Sequence, residues 1–493
     1  MIKLVKYNES HLRVICDRDE ANNISEYFAF YMPGYQWSPK YKAGIWDGRF
    51  YLFNYKTGLL PQGLTPRLLH FLKTYKFDYR IVDSLDEEGY KLSEKNILKF
   101  CKMIKTPFMP RDYQIRSIQE LAWRKKASIL SATGSGKSFV AYLLFNILKY
   151  FDDDHKFLLL VPTTSLVEQM AGDFNEYAEN WCDYDDYVHK IYAGKEKESD
   201  KPIIISTWQS LQKLPRKYFH QFSVVKCDEV HVAQAPVLSK IMEYCERASF
   251  KFGMTGTVDE DSKIHRLQLE GLFGPLLRMS RTKELIDRGY LSKFRIRGIV
   301  CNYPEHIRKA MKGFSYDEEV EILRKFKSRQ IFISKLALSR KGNTLVLFRS
   351  IDYGKKLYKW IGSNMDGEKI RSVHYIDGGV KAEDREKIRK WVEEHDGAII
   401  VASYGTYSTG INIKNLHNII FAESMASQIK VIQSIGRSLR VHANKDHATL
   451  YDITDDISWK SRKNYVLRHF VKRTNFYDKE KFRYSIKSVK MSK

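Results

Sequence analysis

Eight consecutive residues, Ser131-Ala132-Thr133-Gly134-Ser135-Gly136-Lys137-Ser138, have the types and spacing to hold a nucleoside triphosphate. Gly134 and Gly136 let the backbone come close to phosphates where a Cβ would collide. The N–H groups of Thr133, Ser135 and their neighbours can then face the β- and γ-phosphates. Lys137 adds a point charge, and the Ser138 hydroxyl is placed to hold Mg²⁺. The general pattern of such a loop begins with Gly; Ser131 stands there, and a small residue is compatible with the turn. Ninety-one residues after Lys137 comes Asp228-Glu229-Val230-His231. An acidic residue at a strand end, here Asp228, can hold the same Mg²⁺ as Ser138. Glu229 can orient and polarise the water that attacks the γ-phosphate, and His231 can link this centre to an inter-domain cleft. In isolation acidic pairs at strand ends are common; after a phosphate loop, at the end of a buried strand, the pair is specific. Arg437 and Arg440 are three apart, so on a helix they share a face. Two guanidiniums offered together can act as arginine fingers, worth on the order of 10³–10⁵ in rate in GTPases. The bland alternative for them is a solvated basic helix face.

These groups need particular elements to hold them. The apolar run Ala127–Leu130 precedes the loop and the helical pattern Phe139–Leu144 follows it, which is the strand–loop–helix setting a phosphate loop requires. Short runs that are apolar throughout recur at 157–161, 203–205, 224–227 and 250–254, with helical segments between them. Such runs predict a parallel sheet covered on both faces. The pattern returns at 344–348, 373–376, 398–401, 419–421 and 449–451, predicting a second α/β domain without a phosphate loop of its own. That domain would supply residues to the nucleotide across a cleft. Residues 1–104 read as a small α+β domain, 105–290 as the first sheet domain, 291–457 as the second and 458–493 as a basic, partly helical C-terminal extension. The fold class is therefore α/β, two tandem parallel-sheet domains with smaller additions at each end.

Composition supplies the partner class. The 493 residues are 43% apolar and 29% charged, an ordinary globular balance, yet the net charge is +24. That excess predicts a polyanionic partner. No apolar run approaches the roughly 20 residues a membrane span needs, and the first residues lack the pattern of a secretion signal. The six cysteines form no Cys-x-x-Cys pair, which argues against zinc and against a disulfide framework. A reducing cytoplasm fits, and nucleic acid is the better polyanion. The last 36 residues alone carry twelve Lys/Arg against two Asp/Glu, a net +10. In the N-terminal domain Tyr35, Trp37, Lys40, Tyr41, Lys42, Trp46 and Arg49 interleave aromatic and basic groups, a mixture suited to base stacking and phosphate contact, or to the core of a small domain.

From about residue 110 to 440 the motifs resemble, in order and spacing, the superfamily 2 helicases of the Asp-Glu-x-His kind. The resemblance implies two RecA-like domains and ATP with Mg²⁺ as the nucleotide. In Arg111-Asp112-Tyr113-Gln114 it implies Gln114 on the adenine edge and Arg111 stacked on the ring. It implies contacts to the tracking strand from Pro162, Thr163 and Gln169, and from Thr207, Trp208 and Gln209. The stretch Ser403–Asn412 is similar to the family's motif V, with Ser403 toward nucleic acid and Gly410 and Asn412 toward the nucleotide; Asn412 stands where Asp is usual. Thr255, Thr257 and Gln433, with His231, carry the implied coupling role. Over nearly the whole chain, including Gly44-Ile45-Trp46-Asp47-Gly48-Arg49 and Lys463-Asn464-Tyr465-Val466, there is a closer resemblance to the UvsW-type recombination helicases of tailed phages. It implies branched-DNA remodelling: Holliday-junction branch migration, fork regression, R-loop unwinding and strand annealing. It also implies branched and single-stranded DNA, RNA–DNA hybrids and phage recombination proteins as partners. A monomer in the host cytoplasm is the expected state. Two other readings stay open: an annealing protein with a vestigial ATPase, and a duplex DNA translocase that does not separate strands.

Overall fold

Runs that are apolar at every position must be covered on both faces, and in the computed structural model they form two seven-stranded parallel sheets. The structure describes residues 1–82, 88–192, 194–230, 236–258, 262–364, 371–410, 413, 415–424, 436, 445 and 447–491. By its internal contacts the chain divides into two units, residues 1–131 with 136–279, and residues 132–135 with 280–493.

The first unit begins with the α+β region. Strand β1 (Ile2–Lys6) pairs antiparallel with β2 (His11–Ile15), and the short hairpin β3 (Ala29–Tyr31) and β4 (Arg49–Tyr51) stands apart as its own two-stranded sheet. Adding β5 (Leu59–Pro61) and β6 (Tyr79–Ile81) completes a four-stranded sheet in the order β5-β2-β1-β6. Helices Arg18–Tyr27 and Thr65–Thr74 cover its apolar face, burying Ile2, Leu4, Ile24 and Leu68. The helix Glu94–Met103 lies beyond this core: Ile97 and Cys101 pack with the large sheet that follows.

That sheet comprises β7 (Lys126–Leu130), β8 (Phe157–Val161), β9 (Val188–Ile191), β10 (Ile203–Thr207), β11 (Val224–Asp228), β12 (Phe250–Thr255) and β13 (Leu276–Arg278), in the order β13-β7-β12-β11-β8-β10-β9. The α+β region is fastened to the amino ends of two of its central strands. Lys126, first in β7, pairs with Glu9 at 2.6 Å, and Lys251 in β12 donates to Ser10 Oγ at 2.6 Å. Arg67 forms an ion pair with Glu270 on the helix Lys263–Phe273.

The second unit's sheet comprises β14 (Lys293–Asn302), β15 (Thr344–Phe348), β16 (Val373–Ile376), β17 (Ile399–Ser403), β18 (Asn418–Phe421), β19 (His447–Asp456) and β20 (Tyr484–Lys490), in the order β16-β17-β15-β18-β19-β14-β20. The C-terminal extension is thus more than a helix. Its helix Tyr465–Lys479 covers the sheet, seating Phe470 over Gly298, and the chain then returns as β20 to add an edge strand beside β14. Arg473 on that helix is 1% exposed and makes a two-pronged ion pair with Asp452 of β19, at 2.8 and 2.9 Å. Among the described residues no helix is long and apolar enough to cross a membrane.

Candidate functional site

Because all seven strands of the first sheet run parallel, their carboxyl ends lie along one edge, the edge at which open α/β sheets bind ligands. The nucleotide candidates sit there on neighbouring strands. β7 ends at Leu130 in register with Thr255 of β12, and Asp228 of β11 is in register with Met254. The Ser131 N–H donates to the Thr255 carbonyl at 3.0 Å, fixing the start of the phosphate loop to the end of β12.

Two left-handed glycines shape the loop, Gly134 at φ 82° and Gly136 at φ 79°. At its positive φ, Gly136 disfavours any larger residue, and a Cβ there would lie 2.5 Å from Gln114 Nε2 and press on that side chain. The helix Lys137–Phe151 starts on Gly136 with no side-chain cap, which leaves its positive end to the loop. Lys137 Nζ donates to the Ser131 carbonyl at 3.3 Å, spanning the loop it must serve. The Ser138 hydroxyl is 2.9 Å from the Tyr177 hydroxyl. Thr133 Oγ1 is buried without a partner among the described residues, a polar atom suited to a ligand.

On the adjacent strands, Asp228 accepts a hydrogen bond from the buried Lys226 ammonium at 2.9 Å. Glu229 follows at φ 51°, a left-handed conformation that a non-glycine residue adopts at a cost of roughly 1–3 kcal/mol. Strain of that kind at a carboxylate beside the phosphate loop fits a catalytic position. The Thr255 hydroxyl donates to the Thr257 carbonyl at 2.8 Å and reaches Glu229 Oε2 at 3.4 Å, so the Thr-Gly-Thr turn touches the Glu229 carboxylate directly. Ser138 and Asp228 offer the hard oxygen donors that Mg²⁺ requires, and the set fits that ion.

Gln114 is buried against the loop, and its Oε1 accepts the Arg111 N–H at 2.8 Å. The Arg111 guanidinium donates to the Tyr113 hydroxyl at 3.3 Å. Phe108 was missed from sequence: its ring is exposed, yet 4.7 Å from the Phe139 ring, which directly follows Ser138. An aromatic residue three positions ahead of Arg111 was the available signal.

Of the residues assigned to nucleic acid, Pro162, Thr163, Thr207, Trp208 and Gln209 stand at or just past the carboxyl ends of β8 and β10, on the same edge, and Gln169 lies in the helix Thr164–Ala178. Their side chains divide. Gln209 is exposed, and Pro162, Thr163 and Gln169 are half-buried. Trp208 is 4% exposed, with its ring within the apolar core. Thr207 is buried and caps the helix Trp208–Leu211 by accepting from the Ser210 N–H at 3.3 Å. Thr163 caps the helix Thr164–Ala178 in the same way. In the second unit the Ser403 hydroxyl bonds Thr406, at the head of the helix Tyr404–Gly410 that ends with Gly410. His231, Asn412, Gln433, Arg437 and Arg440 lie outside the described residues.

Comparison with known proteins follows the same division. Residues 1–83 match the family described as DNA helicase UvsW, N-terminal; residues 107–260 match Type III restriction enzyme, res subunit; residues 327–442 match Helicase conserved C-terminal domain. The chain is 31% identical to the ATP-dependent DNA helicase uvsW of Enterobacteria phage T4, over 99% of its own length and 100% of that protein's. It is 27% identical to the DNA 3'-5' translocase XPB2 of Sulfurisphaera tokodaii, over 49% of its length and 53% of that protein's. The crystal structure of T4 UvsW matches with a TM-score of 0.51 at 30% identity, covering 99% of both chains. A fragment of an HsdR subunit of a type I restriction enzyme from Vibrio vulnificus shares the fold, with a TM-score of 0.56 at 19% identity, covering 89% of this chain and 78% of the fragment. Aligned from end to end with one such helicase, and carrying both the N-terminal region and the two sheet domains of its kind, the chain belongs to the UvsW family of superfamily 2 DNA helicases.

Proposed function

We propose that this protein is an ATP-dependent DNA helicase that remodels branched DNA in phage recombination, replication and repair. One observation carries the reading: the phosphate loop, Asp228-Glu229 and Thr255 stand on three neighbouring strand ends, in a chain that aligns over its full length with a helicase of phage T4. Lys137 and the loop amides hold the β- and γ-phosphates, and Gln114, Arg111 and the exposed Phe108 ring take the adenine. Ser138 and Asp228 hold Mg²⁺, which neutralises charge between the β- and γ-phosphates. Glu229 aligns water for in-line attack, and its contact with Thr255 ties hydrolysis to the turn that follows β12. Arg437 and Arg440 complete the charge around the γ-phosphate. Pro162, Thr163, Gln169 and Gln209 offer backbone and side-chain groups to DNA phosphates along the edge shared with the nucleotide, contacts that position the protein without reading sequence. Residues 1–104 and the basic residues of 458–493 recognise the branch, and the enzyme works as a monomer in the host cytoplasm. RNA–DNA hybrids and phage recombination proteins are its further partners.

The match of residues 107–260 to a restriction-enzyme motor favours one other reading, a duplex translocase that does not separate strands. Hydrolysis measured without DNA and with single-stranded, duplex and four-way-junction DNA, matched for nucleotide content, separates the two. Strongest stimulation by the junction, with conversion of the junction to products, is the expected result. Equal stimulation by duplex and junction without strand separation would establish the translocase. No turnover from folded protein that binds ATP would overturn both in favour of an annealing protein.

A further inference from the structure

Strand β11 reads Val224-Val225-Lys226-Cys227-Asp228, and all of it is buried. Side chains alternate along a strand, so Val224, Lys226 and Asp228 share a face. The register partners of Lys226 are Leu159 and Phe252, and these pack with Val224 in the same apolar core as Phe139 and Leu143 of the helix that follows the phosphate loop. A lysine has therefore been placed in the core beneath the nucleotide site. It is 0% exposed, and among the described residues Asp228 Oδ1, at 2.9 Å, is the one hydrogen-bond acceptor of its ammonium. An ammonium in such surroundings is tolerated only with a counter-charge. The chain gains no solubility from a buried charge, and an apolar residue would fill the space at less cost. What Lys226 does have is a fixed hold on the carboxylate that faces the nucleotide.

We propose that Lys226 is a positioning residue of the ATPase that sets its demand for divalent cation. It holds Oδ1 of Asp228 and leaves Oδ2 toward the site, so the carboxylate is oriented before nucleotide binds. Its positive charge lies one carboxylate away from the cation position and weakens cation binding by like-charge repulsion. The repulsion outweighs the gain from pre-orientation, so occupancy of the site depends on a higher concentration of cation than an unshared carboxylate would need. The inference rests on the reading of Asp228 as the Mg²⁺ carboxylate.

The test is equilibrium binding of a fluorescent, non-hydrolysable ATP analogue to the full chain, titrated with Mg²⁺, with folding checked by thermal melting. Lys226→Met removes the charge and suits the apolar surroundings; its Mg²⁺ midpoint should fall at least three-fold. Lys226→Gln removes the charge but keeps a polar group near Oδ1, and should shift the midpoint in the same direction. An unchanged or higher midpoint in either folded variant overturns the proposal. The double variant Lys226→Met, Asp228→Asn separates this from the reading beneath it. If the double variant keeps the midpoint of Lys226→Met alone, Asp228 is not the cation's carboxylate. If it needs at least ten-fold more Mg²⁺ while Lys226→Met alone changes nothing, Asp228 stands and only the role of Lys226 falls.

Discussion

Asp228, the proposed Mg²⁺ carboxylate, is already committed to a buried ammonium, and that has a consequence for stability. Removing its carboxylate leaves Lys226 charged in an apolar core, a change that costs about 3–5 kcal/mol when one partner of a buried pair is deleted. Asp228→Ala should therefore lower the unfolding midpoint of the protein strongly, and adding Lys226→Met should restore most of it; chemical denaturation of the three variants decides. Glu229→Gln should bind ATP normally while hydrolysis falls about 10²–10⁴-fold, the usual worth of a positioned general base; a loss of ATP binding of similar size would remove Glu229 from that role. That Lys137, Asp228 and Glu229 would follow the ends of buried parallel strands was legible in the sequence, because short apolar runs precede the loop and the acidic pair. Lys226 was not, because it was read as one position of an apolar strand. Alternation puts it on the face of Asp228, but a single sequence does not say that this face is covered. The packing of Trp208 and Thr207 was not legible either: a motif named them, and the structure places the ring in the core and the hydroxyl at a helix cap.

At the scale of elements, the two parallel sheets were readable because burial on both faces leaves runs without alternation. The strand orders were not, since they follow from crossover connections that leave no local mark. Nor was β20, whose exposed, lysine-bearing sequence suits an edge strand but carries no apolar pattern. This strand changes what a truncation means. Deleting residues 458–493 would expose the sheet under Phe470 and leave Asp452 without Arg473. The shortened chain should aggregate or unfold early in its second unit, by limited proteolysis and melting, rather than persist as a folded helicase with weaker DNA binding. The attachment of the α+β region makes a second element-scale prediction. Burial pushes the Lys251 ammonium down to about 7, with Lys126 adding repulsion while Cys245, Glu9 and Glu243 partly oppose the shift; His11 beside it is also held low. The ordinary lysine value is higher, so between about pH 7 and 10.5 the unfolded chain binds more protons than the folded one, and stability rises with pH by up to about 1.4 kcal/mol per unit. Urea midpoints at pH 7, 8 and 9 should climb in the wild type and lose that increment in Lys251→Met. Parallel slopes in the two proteins would mean that Lys251 does not titrate there.

At the scale of the whole molecule, the excess of +24 promises affinity for DNA but not discrimination, because phosphate contacts are alike on every DNA form. Binding should weaken steeply with salt for single strands, duplex and junction together. Preference for a branch needs groups that use what a branch offers, which is unstacked bases at the point where strands part. The α+β region presents such groups. Trp37 is 78% exposed with the Lys42 ammonium 5.6 Å from its ring centre, and Tyr31 stacks on Tyr35 at 4.7 Å with the Arg49 guanidinium 4.8 Å above it. Rings held outward beside cations suit base stacking with phosphate contact, and stacking on an aromatic side chain is worth about 1–3 kcal/mol per base. Composition alone left Trp37 and Tyr35 undecided between core and contact; Trp37 stands outside the core, and Tyr35 stacks with the exposed Tyr31. Replacing Trp37 and Tyr31 together by Ala should lower junction-stimulated hydrolysis at least ten-fold at limiting junction. Hydrolysis without DNA should hold, because the phosphate loop, Asp228 and Glu229 are untouched. If junction and single-strand stimulation fall by the same factor, the aromatic cluster serves general affinity and branch preference must come from the basic extension. If neither falls, the rings have no part in DNA recognition and the proposed role of the α+β region is lost.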